Sequence, residues 1–167
     1  SLGLRFIAGD ESIFSRFQEQ IKPYLYSMDA AKVIIRGVKL HRLLWIARRF
    51  KRIIEGNFGR DIKGCTGGMR DIEHLTYMYK AKEEIKETGV INTLKILNIV
   101  DCISIEQSKQ PIDSYKFFMR LRNDIYVYSG GWLLSSKVLR EIANSRNISV
   151  KELKREVRYH LMSTKVI

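Results

Sequence analysis

Apolar residues recur three and four positions apart along most of this chain, and only two prolines interrupt it. That spacing puts side chains on one face of a 3.6-residue turn and is foreign to the two-residue alternation of a strand. It predicts an all-α fold, a helical bundle of about seven helices whose short loops favour antiparallel neighbours. With 167 residues and 45% hydrophobic content, such a chain can bury about two-thirds of its unfolded surface without staples. One helical domain over residues 1–167 is expected, and a second full domain does not fit. The chain opens at Ser1 and enters Leu4, Phe6 and Ile7 almost at once, so it reads as a part excised from a longer protein.

Local signals set the expected boundaries. A first helix should start near Asp10 to Ser12, bury Ile13, Phe14, Phe17 and Ile21, and stop before Pro23, because the residue preceding a proline is pushed out of the helical region. The longest pattern runs from about Asp29 to Glu55, with Val33, Ile34, Leu43 and Phe50 interleaved with Arg36, Arg42, Arg48 and Arg52, and Gly37 as a candidate kink. Glycines then crowd the stretch from Gly56 to Gly68 and forbid a regular helix there. Periodicity resumes near Arg70, buries Ile72, Leu75, Met78, Tyr79 and Ile85, and should close on Gly89 as a C-terminal glycine. A shorter helix is expected around Leu94, Ile96, Leu97 and Val100. Pro111 suits the first turn of a long helix that carries Tyr115, Phe118, Leu121, Ile125 and Tyr126 and ends before Gly130. Ser135 to Ser145 makes a short helix, and Ser149-Val150-Lys151-Glu152 is a capping box that opens the last one, through Leu153, Val157 and Leu161.

Several function classes drop out. No stretch reaches the roughly 20 apolar residues of a membrane span and no leader opens the chain, so a cytoplasmic protein with no membrane partner is expected. Cys65 and Cys102 are the only cysteines; being far apart and outside any C-x-x-C pair, they argue against a disulfide framework or a zinc site. His41, His74 and His160 show no ligand spacing, so no metal site and no catalytic residue is expected in this chain. The net charge of +12 would attract nucleotides, nucleic acid or an acidic protein surface, with a solvated basic surface as the plain alternative.

One segment exceeds what folding requires: Asp61-Ile62-Lys63-Gly64-Cys65-Thr66-Gly67-Gly68-Met69-Arg70-Asp71-Ile72-Glu73. A glycine turn feeding a helix can offer backbone N–H groups and the positive end of the helix dipole to an anion, while Lys63 and Arg70 add mobile and forked positive charge. The order is not that of a Walker loop or a dinucleotide fingerprint. Asp71 and Glu73 invite a metal reading, but residues two apart on a helix do not face each other. Arg70, Glu73 and Tyr77 should share one face, Asp71 and His74 another, and acidic residues in a first turn also simply stabilise the dipole.

Asp61-Ile62-Lys63, Gly67-Gly68 and Asp71-Ile72-Glu73 resemble the D-x-K…G-G-[I/L]-x-D-I-E-F segment of glutamine synthetase adenylyltransferases and the related helical domain of signal-protein (PII) uridylyltransferases. Arg5-Phe6-Ile7-Ala8-Gly9-Asp10 looks like the A-G-D stretch that follows the catalytic domain in that family. Tyr115-Lys116-Phe117-Phe118-Met119-Arg120-Leu121-Arg122 looks like its later Y-x-F-L-R-x-[VL] helix. His74 departs from the family's usual phenylalanine. The resemblance implies a bundle that follows and packs on an N-terminal nucleotidyltransferase domain in cis. That domain would use Mg2+ and a nucleoside triphosphate to modify a protein, glutamine synthetase or a PII-type protein. Its G-S…D-x-D carboxylates are absent here, and two-metal transfer needs such carboxylates converging on rigid elements, so the isolated chain is expected to be inactive. Lys63 and Arg70 would approach nucleotide phosphates, and Asp61, Asp71, Glu73, Gly67 and Gly68 would order the loop or contact the other domain. A basic all-α module that binds nucleic acid or docks a protein is the competing expectation, although no convincing helix-turn-helix spacing is present.

Overall fold

The computed structural model describes residues 10–25, 32, 33, 35–37, 39, 40, 61–131 and 133–164. Among them the regular structure is helix alone, in seven helices. In chain order these are α1 (Glu11–Leu25), a stretch here named α2 whose described residues lie between 32 and 40, α3 (Met69–Lys82), α4 (Val90–Ile99), α5 (Ile105–Ser129), α6 (Ser136–Ser145) and α7 (Val150–Ser163). The all-α bundle expected from the periodicity is what the chain forms. Residues 1–9, which carry most of the A-G-D stretch, and most of the Asp29 to Glu55 pattern lie outside the described residues, as do His41 and the glycines at 56 and 59.

Helix α5 is the axis: α3, α4, α6 and α7 all pack on it. Its Phe118, Leu121 and Ile125 are fully buried and meet Met69 and Ile72 of α3, Leu94 and Leu97 of α4, Ile142 and Ala143 of α6, and Leu153, Val157 and Leu161 of α7 in one apolar cluster. At 25 residues, α5 spans about 37 Å at 1.5 Å per residue, long enough to receive two helices on each side. Truncating a fully buried aromatic such as Phe118 would cost about 3–5 kcal/mol.

Capping decides the ends, and it corrects several expectations. Helix α5 starts six residues before Pro111, on a capping box in which the Ser104 hydroxyl accepts from the Gln107 amide at 3.1 Å and the Gln107 side chain accepts from the Ser104 amide at 2.9 Å. Pro111 is therefore interior; its ring is buried, and packing outweighs the one ladder bond a proline forfeits. Pro23 likewise lies inside α1, in its last turn, where few downstream residues depend on the missing donor. Gly89 does not end α3, which stops at Lys82; it is the N-cap of α4. Ile13 and Phe17 are exposed rather than buried, and Val100 and Tyr126 are exposed as well. Gly37 is itself helical, with described helical residues on both sides. The predicted Ser135 cap and Ser149–Glu152 capping box both form.

Candidate functional site

The chain from Asp61 to Gly68 folds as a tight loop against the start of α3. Asp61 nucleates it: one carboxylate oxygen accepts from the amides of Lys63 at 3.2 Å and Gly64 at 3.0 Å, while its carbonyl accepts from the Cys65 amide at 2.9 Å. This is the backbone-mimicking turn that aspartate favours. The chain then doubles back, and the amides of Met69 and Arg70 donate to the carbonyls of Ile62 at 3.2 Å and Lys63 at 3.0 Å. Lys63 and Arg70, seven positions apart, are thus held side by side through their backbones, both half-buried. Asp71 closes the turn by accepting from the Gly67 amide at 2.8 Å, which also sets a negative charge at the positive end of α3.

Close approach accounts for both glycines at the turn. Gly67 has φ of +76°, and a Cβ there would lie 1.9 Å from the Leu161 carbonyl oxygen of α7. A Cβ on Gly68 would lie 2.4 Å from the Ile62 carbonyl oxygen. The Thr164 hydroxyl, just past the end of α7, donates to the Gly67 carbonyl and clasps the loop to the far end of the chain. The amides of Lys63, Gly64, Cys65, Gly67, Gly68, Met69, Arg70 and Asp71 all donate to loop oxygens. The backbone N–H groups expected to face an anion are therefore taken up internally, and the positive charge of the segment resides in the Lys63 and Arg70 side chains.

From α3 the site extends to α5. Glu73 accepts a hydrogen bond at 3.3 Å from the Tyr115 hydroxyl, so the acidic residue of one motif and the tyrosine of the other meet. Burial, then the charge of Glu73 and its hydrogen bond, push the Tyr115 hydroxyl up to about 12. The Tyr77 hydroxyl is raised too, by burial first and by Glu73 second, with Arg70 opposing. Arg70, Glu73 and Tyr77 accordingly cluster on one face, as their spacing predicts. Asp71 turns to the loop and Glu73 to α5, so the two carboxylates diverge. Among the described residues no three of His, Cys, Asp and Glu group as a metal ion requires.

Three contributors were not anticipated. Thr164 lies 97 residues from Gly67, and nothing local signals that contact. Tyr115 packs half-buried against the core and adds a polar tie to Glu73 that its place in the motif does not announce. Lys80 is fully buried, and its amine has no hydrogen-bond partner. Burial lowers its pKa, with Glu87 opposing. Met69, Ile72, Thr76 and Lys80 recur at helical spacing, so the signal for Lys80 was a cation standing in an apolar stripe.

A protein-family model matches residues 41–161, a span that takes in the loop, α3 to α6 and α7 as far as Leu161. That family is described as GlnD PII-uridylyltransferase. No curated protein matches the chain.

Proposed function

We propose a role that proceeds from one fact: the chain belongs to the GlnD PII-uridylyltransferase family. It is a helical domain of the kind associated with nucleotidyltransferases. In our reading it packs on a metal-dependent catalytic domain that lies outside this chain and lends the Asp61–Gly68 loop to the nucleotide cleft. Lys63 and Arg70 bind the phosphates of a nucleoside triphosphate, as a point charge and a planar fork respectively. Asp61 and Asp71 order the loop, and Glu73 holds α3 in register with α5 through Tyr115. The nucleotidyl group passes to a protein acceptor, a PII-type protein or glutamine synthetase.

The observation that carries this reading is the backbone hydrogen bond from the Arg70 amide to the Lys63 carbonyl at 3.0 Å, which makes the two basic residues neighbours in a loop whose amides are bonded internally. In an active form that includes the catalytic domain, Lys63→Ala with Arg70→Ala is expected to weaken nucleotide binding and slow turnover. Each lost charge-assisted contact to phosphate is worth about 1.5–3 kcal/mol. Unaltered nucleotide affinity and turnover in that double variant would remove the loop from the cleft.

A further inference from the structure

Helix α7 separates its charges by side. Leu153, Val157 and Leu161 face the core, while Lys151, Lys154, Arg155 and Arg158 are all exposed. At about 100° per residue, these four cations occupy a single arc of about 100° on the flank of the helix. No acidic residue falls inside that arc. Glu152 is drawn into the capping box, accepting from the Ser149 amide at 2.8 Å, and Glu156 lies 4.0 Å from Arg146.

A face that merely meets water ordinarily alternates its signs three and four residues apart, because unlike neighbours stabilise the helix and like ones oppose it. Here every such neighbour within the arc is like-charged: Lys151 with Lys154 and Arg155, and Arg158 with Lys154 and Arg155. The fold returns little for this repulsion: the four side chains make no ion pair within the described structure, and only Arg155 feels a nearby carboxylate, that of Glu152. A polyanion laid along the arc would relieve it.

We infer that this arc of α7 binds the phosphate backbone of nucleic acid, without reading sequence. A protein partner would be expected to seat an aromatic or apolar anchor within a charged rim. Inside the arc the exposed apolar side chain is Met162, at its end, and the exposed Tyr159 lies about 40° beyond the arc's edge rather than at its centre. A phosphate backbone needs no anchor, only cations at intervals. Lys151 to Arg158 spans about 10 Å of helix axis, which faces about three phosphates of one strand at 3.4 Å of duplex axis each.

The test is fluorescence anisotropy of a labelled random duplex of about 20 base pairs titrated with the 167-residue chain over a salt series. The logarithm of affinity should fall against the logarithm of salt with a slope of about −3, a loss of roughly 40-fold or more between 50 and 200 mM. Lys154→Gln with Arg158→Gln should flatten that slope by about 2. Lys95→Gln with Lys109→Gln, which removes equal charge from exposed positions on α4 and α5, should leave it unchanged. Three results would each overturn the inference: no binding at the lowest salt, equal loss in both double variants, or poly-L-glutamate competing as well as duplex per unit charge.

Discussion

Replacing Gly67 and Gly130 by alanine separates two costs that usually arrive together. Both have positive φ, +76° and +63°, so alanine suffers a similar backbone penalty at each, about 1–2 kcal/mol. Their surroundings differ. Around Gly130, the C-cap of α5, nothing lies within 4 Å of a built Cβ, whereas at Gly67 that atom meets the Leu161 carbonyl oxygen at 1.9 Å. Ordinary contact begins near 3.4 Å, so loop and α7 would have to part by about 1.5 Å, the difference of the two distances. That displacement breaks the Thr164 hydrogen bond to the Gly67 carbonyl, at about 1 kcal/mol, and strains the packing around buried Leu161, at about 1–2 kcal/mol. Gly67→Ala should therefore cost about 3–5 kcal/mol against about 1–2 for Gly130→Ala. At 2–4 °C per kcal/mol for a chain of this size, the drops in Tm are about 6–20 °C and 2–8 °C. Thermal unfolding followed by circular dichroism reads both. Equal drops would refute the close approach of loop and α7.

Two further outcomes concern buried ionisable groups. Lys80→Met keeps the apolar stem and removes an amine with no hydrogen-bond partner, so the chain should gain about 1–3 kcal/mol in denaturant unfolding; a loss would mean that the amine is satisfied. Burial lowers the pKa of His160 below 6.5, against the raising charges of Glu156 and Asp113. The unfolded state then takes up the proton first, so stability should be full above about pH 6.5, decline as pH falls below it, and level off beneath the folded value. His160→Gln should flatten that part of the pH–stability curve, and an unchanged slope would assign it to other groups.

The helical class and the last two helices were legible because their signals are local: spacing three and four apart, and Ser135 and Ser149 at N-caps. The start of α5 was misplaced because two local signals competed. Pro111 looks like a first-turn proline, but Ser104 and Gln107 form the same capping box as Ser149 and Glu152, and burial of the proline ring lets the helix run through it. In the loop, residue types single out the segment but not its internal bonding. Whether a glycine amide faces a ligand or an aspartate four residues on depends on how the chain doubles back, and Thr164 enters from a place no spacing rule connects with Gly67.

That clasp spans 97 residues, and closing so long a segment of flexible chain costs about 4 kcal/mol of entropy on a logarithmic law. The turn itself is held by bonds within residues 61–71, but the clasp closes only where α5, α6 and α7 bring Thr164 back to Gly67. The clasp, rather than the turn, is thus a certificate of completed folding. A fragment trimmed to the family match would end at Leu161, three residues short of the hydroxyl that signs it.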